Sequence, residues 1–161
     1  MLAACRLAFL LLLSAFLFVH RPAQTPAPAD PKSEILAFNE KFINAHLRMD
    51  NPAIIAMWAE DGVSLLPSMA PMVGRAAIGK FITDISAQMP GYKIVREKID
   101  FHDIQVSGDW ASEWGLEIQG LQPPGNQPAM EGYGKILFVL HKDAKGEWKI
   151  QQEMWNTNRK P

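Results

Sequence analysis

The sequence has few of the residues that build covalent or metal-linked sites. Its 161 residues include one cysteine, Cys5, and four histidines. A domain that begins after Cys5 therefore has no thiol nucleophile, no thiolate metal site and no disulfide. The charges are nearly balanced, with 16 basic and 17 acidic residues and no Lys/Arg run longer than two. This balance argues against a nucleic-acid partner, and we expect no cofactor.

Long hydrophobic runs are also missing, apart from one near the N-terminus. Residues 7–19 (LAFLLLLSAFLFV) carry no charge, and Arg6 precedes them. Because a membrane-spanning helix needs roughly 20 apolar residues, this shorter run is typical of a signal-peptide core. The small-x-small pattern Ala27-Pro28-Ala29 predicts cleavage after Ala29 and a periplasmic or secreted protein. The alternative is an uncleaved leader that anchors the protein in the inner membrane through residues 7–19.

Removal of a signal peptide of residues 1–29 leaves one predicted domain, residues 30–161. The removed part contains Arg6 and Arg21 but no acidic residue, so the net charge changes from −1 to −3. A domain of this length can bury roughly two-thirds of its surface and needs only a hydrophobic core to fold.

Helical periodicity dominates the first half of this domain and strand alternation the second half. Apolar spacing predicts three helices, at residues 32–49, 52–59 and 74–86. Asn51 is a predicted cap for the second helix, and Pro52 suits its first position. The predicted strands are 63–66, 69–73, 92–106, 110–119, 130–141 and 147–156. This order predicts an α+β fold in which three N-terminal helices cover one face of a curved antiparallel sheet.

Several motifs resemble the nuclear-transport-factor-2-like superfamily. The stretches that carry the resemblance are WAEDG at 58–62, GRAAIGKF at 74–81, GEWKI at 146–150 and WNTN at 155–158. The resemblance covers residues 33–158 and is strongest to the SnoaL-like branch of a superfamily that includes ketosteroid isomerase, scytalone dehydratase and polyketide cyclases. It implies a cone-shaped α+β barrel, a pocket between helices and sheet, and frequent homodimers. Activity does not follow from the fold, since one fold hosts many functions.

Ketosteroid isomerase supplies a residue-level test of that resemblance. The enzyme needs a carboxylate base and an oxyanion hole made of a tyrosine and a protonated acid. An ungapped comparison places Phe42 at the tyrosine, Leu66 at the base, Phe138 at the protonated acid and Ile82 at a supporting tyrosine. None of these side chains can exchange a proton, so we expect no ketosteroid isomerase activity.

Two polar residues are candidates for catalysis in the implied pocket. His46 lies in the apolar stripe of the first helix, and imidazole titrates near neutral pH. Glu153 lies on the strand face that carries Trp155. If both reach the pocket, they form a carboxylate–imidazole couple suited to proton transfer. The alternatives are a core histidine satisfied by one hydrogen bond and a glutamate paired with a nearby Lys or Arg.

The same comparison and strict strand alternation predict the walls of the pocket. The ligand-binding candidates are Phe42, Met49, Trp58, Leu66, Trp114, Leu116, Phe138, Gln151 and Trp155. Gly132 and Gly134 are expected to leave room opposite Trp155. Alternation then places Glu113 and Glu117 on the outward face, with Tyr133 and Lys135, where they form a solvated or interfacial charge pair.

A pocket of this composition favours a small, largely apolar ligand. The protein is predicted to be a non-catalytic ligand-binding or accessory protein or, as the alternative, a proton-transfer enzyme of isomerase, cyclase or dehydratase type. The third interpretation is a dimerisation module whose pocket is filled by ordinary core packing. We expect no metal site, because Asp100 and His102 share a strand face that Asp103 does not, and no histidines have zinc-ligand spacing.

Overall fold

The computed structural model describes residues 30–160. The predicted signal peptide, its cleavage point and the alternative anchor at residues 7–19 lie outside these residues. Within them, no helix combines the length and the apolar character that crossing a membrane requires.

Three helices precede most of the sheet: α1 spans Pro31–Leu47, α2 spans Asn51–Ala56 and α3 spans Arg75–Ala87. Asp30 caps α1 by accepting a hydrogen bond from the Lys32 backbone N–H at 3.1 Å. Asp50, not the predicted Asn51, caps α2 and accepts from the Ala53 N–H at 3.1 Å. A carboxylate satisfies a free N–H group and also favours the positive end of the helix dipole.

Six strands form one sheet. They are β1 (Trp58–Leu65), β2 (Met72–Val73), β3 (Lys93–Ser107), β4 (Trp110–Gln122), β5 (Met130–Lys142) and β6 (Trp148–Thr157). Their order is β2-β1-β6-β5-β4-β3. All neighbours run antiparallel except β1 and β6, which are parallel. The predicted α+β class with helices on a curved sheet is confirmed, and the sheet is mixed and open instead of purely antiparallel.

The boundary between α2 and β1 differs from the prediction. The second helix was expected to continue to residue 59 and the next strand to begin at residue 63, whereas α2 ends at Ala56 and β1 begins at Trp58. Trp58 pairs with Ile150 of β6, and the Ile150 N–H donates to the Met57 carbonyl at 2.8 Å. Pairing with a strand 92 positions away in the chain overrides the local helical pattern.

The helices cover one face of the sheet, which we call the inner face; the opposite side is the outer face. The hydrophobic core lies between the helices and the inner face. Its buried members are Ile35, Phe38, Phe42, Trp58, Ile78, Ile99, Ala111, Ile136, Phe138, Leu140, Trp148 and Ile150.

The two faces of β4 are reversed relative to the prediction. Glu113 is only 3% exposed and faces inward, and Glu117 is half-buried on the same face. Trp114 and Leu116 lie on the outer face, 40% and 38% exposed. Alternation identifies which residues share a face, but the expectation that the apolar set faces inward was wrong for this strand.

Candidate functional site

A cavity of about 280 Å³ opens between the three helices and the inner face of the sheet. α3 contributes an apolar wall that includes Ile78, Phe81, Ile82 and Ile85. The polar side chains of the wall are His46, Asn51, Ser64, Ser86, Gln119 and Glu153. An apolar cavity with a few converging polar groups is the usual form of a small-molecule site.

Six of the predicted site residues meet in this cavity: Phe42, His46, Met49, Trp58, Leu66 and Glu153. Phe138 is fully buried below it, with its ring centroid 5.0 Å from that of Phe42. Trp155 is half-buried on the inner face and packs against the core instead of lining the cavity.

Three other predictions of the cavity wall were wrong. Trp114 and Leu116 lie on the outer face, because β4 has the opposite orientation to the one expected. Gln151 lies outside the cavity, where its Nε2 donates to Asp61 Oδ1 at 3.1 Å. A β-bulge explains this position: Leu140 pairs with Ile150 but Val139 pairs with Gln152, so Gln151 is an extra residue that interrupts the alternation.

The positions compared with ketosteroid isomerase also reach this region. Phe42, Leu66 and Ile82 line the cavity, and Phe138 lies beneath it. All four side chains are therefore apolar where they line the cavity or lie beneath it.

His46 is held in a defined orientation at the cavity. Its Nδ1 donates to the Phe42 carbonyl at 2.9 Å, and its ring lies against the Phe42 ring with centroids 4.1 Å apart. Because a carbonyl oxygen only accepts, Nδ1 carries the proton and the neutral ring has its lone pair at Nε2. Burial lowers the pKa of His46, whereas the Phe42 carbonyl and the charge of Glu117 act in the opposite direction.

Glu153 is the acidic group of the cavity wall. Ser64, its pairing partner on β1, donates its hydroxyl to Glu153 Oε2 at 2.8 Å. Burial raises the pKa of Glu153 to about 7; the Ser64 hydrogen bond opposes this shift and the charge of Glu117 adds to it. Glu153 is therefore poised to exchange a proton near neutral pH.

The predicted couple between His46 and Glu153 is not a direct contact. Within residues 30–160, His46 bonds to Phe42 and Glu153 bonds to Ser64, and no hydrogen bond joins the two. They share the cavity wall, and both respond to the charge of Glu117. A ligand between them could contact a basic nitrogen and an acidic oxygen.

Two further acidic side chains, Glu97 and Glu117, lie side by side on the inner face behind the cavity. Glu97 of β3 is 7% exposed, and its Oε1 is buried without a hydrogen-bond donor from residues 30–160, beside Glu117 of β4. Gln119 donates to Glu97 Oε2 at 2.9 Å, and the Trp155 indole N–H donates to Glu117 Oε2 at 2.6 Å. Burial and the neighbouring Glu117 raise the pKa of Glu97 to about 8, so Glu97 is mostly neutral at pH 7.

Glu113 of β4 is a further buried acid on the inner face. Asn39 of α1 donates its Nδ2 to Glu113 Oε2 at 2.8 Å, and burial raises the pKa of Glu113 to about 7. Asn39 Oδ1 and Glu113 Oε1 are both buried and have no other partner. A proton on Glu113 Oε1 would supply the missing donor, since an amide and a neutral acid can form two reciprocal hydrogen bonds.

Sequence reasoning missed the inward positions of Glu97, Glu113 and Glu117. A signal for Glu97 was available, because it has the same parity on β3 as the apolar Ile99 and Phe101. Glu117 gave no such signal, because its inward position depends on the tertiary structure: it pairs with Gly134, where a Cβ would collide with the Trp155 indole. Within the described residues, no three His, Cys, Asp or Glu side chains are arranged to hold a metal ion.

A family model supports the resemblance seen in the sequence. The model for the SnoaL-like domain matches residues 29–152. No curated protein matches the chain at a significant level.

Solved structures share the fold at low sequence identity. A ketosteroid isomerase-like protein from Erwinia carotovora atroseptica is 21% identical, with a TM-score of 0.67 over 80% of this chain and 96% of that one. ActVI-ORFA from Streptomyces coelicolor is 17% identical, with a TM-score of 0.68 over 79% and 96%. A candidate dehydratase of the NTF2-like family from Streptomyces avermitilis is 18% identical, with a TM-score of 0.65 over 80% and 96%.

Proposed function

This chain belongs to the SnoaL-like domain family, and we propose that it binds a small, largely apolar molecule in the cavity between its helices and sheet. The observation that carries the proposal is the composition of the wall. Side chains from all three helices and from β1, β2, β3, β4 and β6 converge on about 280 Å³, and most of them are apolar. The few polar groups among them can orient a ligand.

A matched pair of substitutions tests this site. Leu66→Trp would place an indole in the cavity, whereas Leu116→Trp would place the same group on the outer face. We expect Leu66→Trp to abolish the binding of small apolar compounds that quench tryptophan fluorescence, and Leu116→Trp to leave it within about twofold. Equal binding by both variants would contradict a site in this cavity.

The second candidate function is a proton-transfer enzyme of isomerase, cyclase or dehydratase type. It is favoured by one specific arrangement: the cavity wall holds a histidine with a basic Nε2 and a glutamate with a pKa of about 7. Two groups whose environments shift them in opposite directions are a common basis for acid–base catalysis. In this alternative His46 is the base and Glu153 the acid.

Deuterium exchange separates catalysis from binding. A ligand found in the fluorescence screen is incubated with the protein in D₂O, and exchange of its carbon-bound protons is followed by NMR. If the site is catalytic, His46→Ala should slow the exchange by about 10²–10⁴ while the ligand still binds. Exchange by His46→Ala at the wild-type rate would eliminate His46 as the proton carrier.

We also propose that the protein is a homodimer that pairs through the outer face of its sheet. Trp114, Leu137 and Met154 form a row across β4, β5 and β6, and each is 40–46% exposed. The charges of Glu113 and Glu117, expected on this face, lie on the inner face instead. An exposed apolar patch of this kind supports an interface with another protein surface.

A lysine placed in the row of Trp114, Leu137 and Met154 tests the dimer. We expect the wild-type protein to scatter light as a dimer at micromolar concentration and Leu137→Lys to scatter as a monomer. Leu36→Lys is the control, since Leu36 is 52% exposed against 45% for Leu137 but lies on α1. A monomeric wild-type protein, or a dimer that survives Leu137→Lys, would contradict this interface.

Export is the remaining part of the proposal. It rests on the apolar run at residues 7–19 and on Ala27-Pro28-Ala29. Cleavage after Ala29 would leave Asp30, the cap of α1, as the first residue. Expressed in a bacterial host, the protein should reach the periplasm with an N-terminus near Asp30; full-length protein confined to the cytosol would contradict export.

A further inference from the structure

Among residues 30–160, the cavity wall offers an acidic side chain but no permanently cationic one. No lysine or arginine of residues 30–160 lines it. Its ionisable wall residues are His46 and Glu153, and the buried Glu97–Glu117 pair lies close behind them. A carboxylate, sulfonate or phosphate group on a ligand would find no cationic partner here, and burying an unpaired anion is costly.

Glu117 supplies a fixed negative charge to this region. Its Oε2 accepts from the Trp155 indole N–H at 2.6 Å, and it lies beside the buried Glu97. Burial and the neighbouring Glu117 raise the pKa of Glu97 to about 8, so Glu97 adds little negative charge at pH 7. The charge reaches the cavity wall, because it acts on both His46 and Glu153.

Glu153 has a carboxylate oxygen that can accept a hydrogen bond from a cationic ligand. Its Oε2 is taken by the Ser64 hydroxyl at 2.8 Å, and Oε1 takes no hydrogen bond from any residue in the range 30–160. Both Glu153 and the aromatic residues Phe42 and Trp58 belong to the same cavity wall. An ammonium group could donate to Glu153 Oε1 while aromatic faces contribute a favourable cation–π interaction.

We propose that the preferred ligand of this cavity is a protonated amine carried on an apolar body, with its ammonium group donating to Glu153. This inference rests on the proposed binding function and names its ligand class. The apolar part of the ligand would lie against the wall formed by α3, and the positive charge of the ammonium group would favour the ionised form of Glu153, whose pKa burial raises to about 7.

A series of three probes of one shape tests the charge preference. The compounds are phenylbutylamine, phenylbutanol and phenylbutyric acid, and binding to the wild-type protein is measured by calorimetry at pH 7. We expect the amine to bind about tenfold more tightly than the alcohol, since a charge-assisted hydrogen bond exceeds a neutral one. The acid should bind at least about tenfold more weakly than the alcohol.

The outcomes distinguish the two proposals. If the alcohol binds as tightly as the amine, or the acid more tightly, the amine preference is wrong while the apolar site stands. If none of the three compounds binds, the binding function and the amine preference both fail. These comparisons use only the wild-type protein, so they do not depend on how any variant folds.

Substitution of Glu153 tests whether this residue is the partner of the ammonium group. Glu153→Gln should lower the affinity for phenylbutylamine about tenfold and leave that for phenylbutanol within about twofold. Glu131→Gln is the control, because Glu131 lies on the surface and pairs with Arg96 at 2.7 Å. An amine preference that persists unchanged in a folded Glu153→Gln protein would overturn the role given to this residue.

Discussion

β4 separates two surfaces of opposite composition. Towards the helices it presents Glu113, Gly115 and Glu117, and towards the outside it presents Trp114 and Leu116. On the neighbouring strands the contrast is weaker, since the inner face holds Glu97 of β3 but also Phe138 of β5, while the outer face holds the exposed Leu137.

The difference shows that burial and hydrophobicity are separate properties in this sheet. Glu113 and Glu97 can be buried because each accepts an amide hydrogen bond, from Asn39 and Gln119 respectively. Burial raises the pKa of both carboxyl groups, to about 7 and about 8, and the neutral acid costs far less to bury than the carboxylate. The inner face thus combines an apolar core with acidic side chains that are only partly charged.

Alanine substitutions on the two faces of β5 should give the largest difference in the free energy of unfolding. Phe138→Ala removes a fully buried ring from the inner face and should lower the free energy of unfolding by about 3–5 kcal/mol. Leu137→Ala, the adjacent change on the outer face, should cost less than about 1 kcal/mol in the monomeric state, because Leu137 is 45% exposed there. Urea denaturation measures both, and similar losses would remove the distinction between the faces.

The buried acids should make the protein more stable in mild acid. Burial raises the pKa values of Glu97, Glu113 and Glu153 from 4.5 to about 8, 7 and 7. Between about pH 4.5 and pH 7, the folded state keeps protons that the unfolded state has lost, so the free energy of unfolding falls as pH rises. His46, whose pKa is lowered from 6.5, acts in the opposite direction but is a single group.

Glu113→Gln isolates one of these contributions. The amide can keep the hydrogen bond from Asn39 Nδ2 and donate to Asn39 Oδ1 without a titrating group, so the decline in stability from pH 5 to 7 should be smaller, by at most about 1.4 kcal/mol per pH unit. Glu131→Gln on the surface should leave that slope unchanged, because its pKa is lowered and its effect falls below pH 4.5. A wild-type protein whose stability rises from pH 5 to 8 would contradict inward, protonated acids.

Two glycines of β5 differ in the space around them. A Cβ at Gly134 would collide with the Trp155 indole and the Glu117 carboxylate, whereas a Cβ at Gly132 would meet only the Gln119 carbonyl at 4.0 Å. Gly134→Ala should therefore lower the free energy of unfolding by about 1–3 kcal/mol, and Gly132→Ala should change it by less than about 1 kcal/mol. Thermal unfolding compares them directly, and equal midpoints would argue against the close contact at Gly134.

The smallest expected difference in stability is between two tryptophan substitutions, one on each face. Trp155→Phe removes the indole donor to Glu117 on the inner face, and Trp114→Phe removes the donor to Asp103 Oδ2 at 2.7 Å on the outer face. The first should cost about 1–2 kcal/mol, because a partly buried charge loses a partner. The loss for Trp114→Phe should stay within about 0.5 kcal/mol, since water can replace the indole donor. A larger loss for Trp114→Phe than for Trp155→Phe would contradict the assignment of these two residues to the outer and inner faces.

The helical and strand periods of the sequence were sufficient to predict the elements and the α+β class. Local signals also predicted that Phe42, His46 and Met49 share one side of the first helix, and all three line the cavity. The end of α2 could not be predicted in this way, because it depends on the pairing of Trp58 with Ile150. Local sequence contains no information about a partner so far along the chain.

The sequence by itself determined which residues share a face, since strand geometry sends alternate side chains to opposite sides. Only the tertiary structure decided which face is inside. On β4 that choice depends on Asn39 of α1 and Trp155 of β6, which give Glu113 and Glu117 their hydrogen bonds. On β6 it depends on the bulge at Gln151, which turns that side chain out of the cavity while Glu153 remains in it. A buried carboxyl group is stable only where other elements supply donors, and those donors come together only when the chain has folded.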